Sequence, residues 1–175
     1  MGKRNGSNSR RNGDLVTDMV KGAIAGAVGV WVMDRVGWDM YLSEDPKAFE
    51  QEKEAQVEGK YAAHVAVGKI ADAMGKELTE TQQHKAGKVM HYGLGVMPGA
   101  LYGALRHRVD GLGAGGGLAY GLGLFLMNDE VMNPLMGLSS GPTAYPWQAH
   151  WRGLVTHMVL GAVTDSVLDA LDQVT

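Results

Sequence analysis

The stretch Gly22-Ala-Ile-Ala-Gly-Ala-Val-Gly-Val-Trp-Val-Met33 carries no charge, and two of its glycines, Gly22 and Gly26, stand four apart. Extended both ways it becomes an apolar segment from Leu15 to Tyr41, provided Asp18, Lys21, Asp34, Arg35 and Asp39 are tolerated inside it. Three more such stretches follow. Residues 89–105 hold no Asp, Glu, Lys or Arg and a single histidine, His91; residues 111–128 hold none of these. Residues 153–164 hold only His157, and the run continues to Leu171 through Asp165 and Asp169. A helix that crosses about 30 Å of hydrocarbon needs roughly 20 mostly apolar residues, with about 17 as a lower limit. The middle two stretches meet that limit, and the outer two meet it with acids inside the span. Each charge at mid-membrane costs about 2.5–3.5 kcal/mol on insertion scales, and less near the interface.

Glycine spacing favours a membrane bundle over an aqueous one. Gly22 and Gly26; Gly95, Gly99 and Gly103; Gly113, Gly117 and Gly121; and Gly153 and Gly161 all stand at steps of four or eight. In a water-exposed helix each glycine costs about 1 kcal/mol relative to alanine. In a bilayer the backbone has no competing water, and small-xxx-small faces let helices approach closely. The pattern predicts an all-α fold, a four-span transmembrane helical bundle with spans at about 15–41, 88–105, 111–133 and 152–171. The competing expectation is a soluble Gly/Ala-rich bundle.

The rest of the chain organises around these spans. At 175 residues it holds one domain, read here as 15–175, preceded by a flexible basic arm at 1–14 with Lys3, Arg4, Arg10 and Arg11. The segment 43–87 is polar and helical: Asp45-Pro46 opens one helix and Thr79 with Gln82 forms a capping box for another. Between them Tyr61, Val65, Ile70 and Met74 recur at roughly helical spacing, as an extramembrane cap would require. His64 and His84 in this segment read as solvated. Pro134, Pro142 and Pro146 make 134–149 a loop. Trp31, Trp38, Tyr41, Tyr145, Trp147 and Trp151 fall near span ends, as in an aromatic belt. The arm and first span lack a small-residue cleavage site, so they do not read as a signal peptide. Basic residues ahead of the first span and Arg106 with Arg108 in the second turn favour a cytoplasmic N-terminus; Lys85, Lys88 and Arg152 oppose it.

Several chemistries are excluded or weak. The chain has no cysteine, which removes disulfides, thiolate metal sites and cysteine nucleophiles. A net charge of −3 argues against a nucleic-acid partner. Gly111 to Gly116 matches G-x-G-x-x-G, but Arg106-His-Arg-Val-Asp110 precedes it where a dinucleotide site needs a strand. Nothing calls for a catalytic residue or a cofactor.

Antiparallel spans do bring polar side chains together. Asp34 is late in the first span and Asp129, Glu130 and Asn133 are late in the third, while His91 and His157 are early in the second and fourth. All fall in one half of the bundle. Gly153, His157, Gly161 and Asp165 follow at steps of four, which sets His157 beside the packing face. Asp165 and Asp169 read as the polar end of the last span. The cluster Asp34, His91, Asp129, Glu130 and His157 suits three roles: hydrogen bonds across helices that hold the bundle, passage of ions or protons, or ligation of a metal or haem. The corresponding functions are a structural or accessory membrane component or Gly-packed homo-oligomer, a small transporter or channel, and a metal- or haem-binding protein. The lipid bilayer is the one partner common to all three.

The run Asn133-Pro-Leu-Met-Gly-Leu-Ser-Ser-Gly-Pro-Thr-Ala-Tyr-Pro-Trp147, followed by Leu154-Val-Thr-His-Met158, resembles the signature of the YagU-like family, small bacterial inner-membrane proteins with a domain of unknown function. The block Pro134, Leu135, Met136, Gly137 and Leu138, then Pro146-Trp147, then His157 carries the likeness. Gly22 to Gly26 and the span around His91 follow it more loosely. The resemblance implies a multi-pass inner-membrane protein without assigned chemistry, with His91 and His157 at family positions. The pair Asp129-Glu130 and the charged segment 43–88 depart from the family pattern.

Overall fold

The computed structural model describes residues 15–174, whose regular structure is helical with no strand among them. The basic arm expected at 1–14 lies outside the described residues. Six helices follow in order: α1 (Leu15–Leu42), α2 (Pro46–Ala55), α3 (Ala62–Ala73), α4 (Glu80–Leu105), α5 and α6 (Trp147–Val174). α5 begins as Leu118–Leu124, continues as a π-helical stretch Phe125–Met132 and closes with a turn Asn133–Leu135. Two helices, α1 and α6, are long and apolar enough to cross a membrane.

Local chemistry explains the starts. Asp45 caps α2 by accepting from the Lys47 amide at 2.8 Å, with Pro46 in the first helical position. Thr79 and Gln82 form a reciprocal capping box for α4, with the Thr79 amide donating to the Gln82 side chain at 2.9 Å and the Gln82 amide donating to Thr79 Oγ1 at 3.3 Å. α4 therefore starts inside the polar segment, well before residue 88. It also runs through Pro98, whose missing N–H breaks one rung of the ladder.

α5 starts at Leu118 rather than 111. Gly111, Gly115, Gly116 and Gly117 all have φ between +63° and +83°, a conformation that turns the chain and that a side chain resists. Gly113 consequently sits in this turn beside the Tyr102 hydroxyl and not on a helix face. α3 also differs in its buried face: Ala63, Val65, Val67 and Ala71 are buried, while Tyr61, Ile70 and Met74 are half exposed or more. The buried face of α3 thus carries two alanines and two valines, and α3 packs against α4.

α1 packs between α4 and α6, and α5 packs on a neighbouring face of α6. The contact surfaces are glycine against backbone. A Cβ at Gly22 would strike the Gly99 carbonyl, one at Gly26 the Gly95 carbonyl, and one at Gly103 the Asp18 carbonyl. Gly121 meets the His157 carbonyl and Gly161 the Gly117 carbonyl in the same way. The core between them is Ala25, Val30, Tyr102, Tyr120, Leu160 and Leu168, with Tyr102 and Tyr120 stacked at 4.3 Å between centroids. The Gly-xxx-Gly faces are thus occupied within one chain.

Candidate functional site

A cavity of about 380 Å³ opens in the half of the bundle that holds the end of α1, the start of α6 and the π-helical part of α5. Asp34, His91, Asp129, Glu130 and His157 all line it. They do not form one cluster: they sort into separate pairs. The His91 Nε2–H donates to Asp34 Oδ1 at 2.7 Å, bridging α4 to α1. His157 Nδ1–H donates to its own helix, to the Gly153 carbonyl at 2.8 Å, and stands 3.6 Å from Asp129 Oδ2, beyond hydrogen-bond length. Glu130 pairs with His150, a residue outside the expected cluster, at 2.6 Å.

His150 sits between two oxygens. Its Nδ1 faces the Glu130 carboxyl group and its Nε2 faces the Pro142 carbonyl at 2.9 Å. With Glu130 ionised, both nitrogens donate and the ring is an imidazolium. The sequence does hold a signal for it: His150, Gly153 and His157 stand at i, i+3 and i+7 on one face of α6.

Arg152 was also missed. Its guanidinium donates to both oxygens of Glu52 at 2.7 Å and to Glu44, and lies 5.0 Å above the Tyr41 ring. Glu52 is 5% exposed, which ties α2 to the mouth of α6. This pairing explains why a polar helix docks here: a buried arginine requires carboxylates from elsewhere.

The proline loop covers the same end. Asn133, Ser139, Ser140, Pro142 and Tyr145 face the cavity. Of the family-like motif, Leu138 and Pro146 are buried, while Leu135, Met136 and Trp147 are more than half exposed. Gly137 ends the α5 turn with φ +63°, and Lys69 of α3 donates to the Met136 carbonyl at 3.0 Å. Burial pushes the Tyr145 phenol above its ordinary range, so it stays neutral.

Asp165 and Asp169 belong to a second polar centre at the opposite end. Arg106, its side chain 4% exposed, donates to Asp165 at 2.9 Å, Asp169 at 2.8 Å and Asp172 at 2.6 Å. Tyr102 adds a 2.6 Å bond to Asp165, and Lys21 a 2.9 Å pair with Asp172. This centre joins α1, α4 and α6.

Among the described residues no three His, Asp or Glu side chains gather to share a metal ion. The metal expectation finds no ligand set there. No protein-family model matches the chain, and neither a curated protein nor a solved structure matches it.

Proposed function

We propose that the chain is a four-span, non-enzymatic protein of a bacterial inner membrane whose cavity at one membrane face takes up a small polar solute or ion. One observation carries this reading: the polarity is inside out. In the most apolar windows of α1 and α6 only 28% and 33% of residues are buried, and on α1 Leu15, Val16, Val20, Ile24 and Trp31 face outward, each about half exposed or more. The core helix of a soluble protein buries such a face. Meanwhile Arg106, Glu52 and His157 are turned inward and buried. Ionisable groups that face a bundle interior beneath an apolar exterior fit a bilayer, where they mark ligand or ion paths.

α4 and α5 extend the same outward surface, with Val89, Leu94, Met97 and Leu101 on one and Leu118, Leu122, Leu126 and Met127 on the other exposed. Trp38, Trp147 and Trp151, all about half exposed or more, gather at the cavity end as interfacial aromatics would. The YagU-like signature in 133–158 supports the same placement. An accessory or homo-oligomeric role is the second reading. It is less favoured because the glycine faces that would join copies already close on one another within the chain.

Membrane fractionation with an alkaline carbonate wash tests the placement. The protein is expected to stay in the pellet and to need detergent. Release into the supernatant would make the outward apolar faces a protein-protein surface and end the four-span reading.

A further inference from the structure

We propose that the cavity binds a small organic ammonium ion, with Asp129 as its counter-charge; this rests on the reading of the cavity as a solute site. The charges of the lining carry the argument. Four carboxylates face the cavity: Asp34, Glu52, Asp129 and Glu130. Three of them accept from a nitrogen of this chain, Asp34 from His91, Glu52 from Arg152 and Glu130 from the imidazolium of His150. Asp129 accepts from none, because the His157 proton nearest to it is committed to the Gly153 carbonyl. The remaining lining ammonium, Lys60, pairs with Glu58 at 2.8 Å.

A carboxylate that meets no donor of its own chain attracts a cation from outside. The Asp129 side chain is 37% exposed, and Asp129 lines the cavity, so a small ligand can reach it. The walls decide the kind of cation. Trp38, Tyr41, Tyr61, Phe125 and Tyr145 line the same space, and aromatic faces attract organic ammonium ions. A desolvated metal ion would instead want several oxygen or nitrogen donors at once, and no such set is present among the described residues. A volume of about 380 Å³ is at the small end of ligand pockets, which suits a compact amine.

The test uses the full chain purified in detergent and two probes of nearly one shape: choline, and its uncharged carbon isostere 3,3-dimethylbutan-1-ol. Binding is read from tryptophan fluorescence, for which Trp38 is in the wall, and from calorimetry. Choline is expected to bind saturably and the isostere at least about tenfold more weakly. Asp129→Asn, which keeps the side-chain volume, is expected to weaken choline by about tenfold or more and leave the isostere unchanged. Equal binding of both probes, or choline binding that Asp129→Asn does not move, overturns the ammonium assignment while the cavity reading stands. Binding of neither overturns both. Helical circular dichroism and the melting temperature of Asp129→Asn establish that it is folded; should it fail to fold, Asp129→Glu, which keeps the charge, must still prefer choline or the assignment falls.

Discussion

His64 shows how much a single residue's surroundings alter its chemistry. Its ring fills the space over Gly87, stacks on His84 at 5.4 Å, and leaves both ring nitrogens buried without a hydrogen-bond partner. A polar helix made it read as solvated, yet burial, followed by the positive neighbours His84, His91, Lys88 and Lys60, pushes its pKa below the ordinary value. The sign follows directly. The unfolded chain takes up this proton first, at about pH 6.5, so stability falls as pH drops through that value toward the folded pKa. The melting temperature should therefore decline on acidification more steeply in the wild type than in His64→Leu. Parallel pH profiles for the two would show that His64 contributes nothing to acid sensitivity. Gly87→Ala should loosen the same contact, since its Cβ meets the ring.

Between elements, the α1–α4 crossing turns on backbone meeting backbone. Gly26→Ala directs a Cβ at the Gly95 carbonyl, which cannot swing aside as a side chain would. The helices must separate, at about 1–3 kcal/mol. Gly93→Ala and Gly123→Ala, also helical, meet nothing within 4 Å and should be neutral or stabilising by up to about 1 kcal/mol. Thermal melts in detergent would rank the three, and a ranking with Gly26→Ala no worse than the others would count against close packing. The spacing of four made this crossing legible. The same spacing misplaced Gly113, because a run of positive φ values takes it out of α5. Nor did spacing announce the π-helical stretch around Asp129 and Glu130, where each turn takes in an extra residue.

Across the whole molecule the two polar centres lie at opposite ends, and the one away from the cavity is built around Arg106. Arg106→Gln would leave Asp165 buried without a cation, while Asp169 and Asp172 retain water. A loss of roughly 2 kcal/mol is expected, below that of a fully buried pair, and denaturation of the detergent-solubilised protein would measure it. In the proposed membrane the basic residues ahead of α1 lead us to expect this end at the cytoplasm and the cavity end away from it. The chain has no cysteine, so single introduced cysteines report orientation without background. Glu58→Cys should react with a membrane-impermeant maleimide on cells whose inner membrane is intact, and His107→Cys should react only after lysis. The reverse pattern would invert the topology and place the cavity in the cytoplasm.

By itself the sequence determined the helical class, the start of α2 at Asp45-Pro46 and of α4 at Thr79-Gln82, and which polar residues share one half of the bundle. Those features depend on neighbours in the chain or on the direction each helix runs, and both are local or periodic information. Only the tertiary structure decided that Asp34 takes His91, that Glu130 takes His150, that Arg152 draws in Glu52, and that Asp129 is left without a donor. Partner choice depends on how far each helix is rotated about its axis. A turn tightened by glycine or widened to a π-helix changes that rotation by more than residue spacing can reveal.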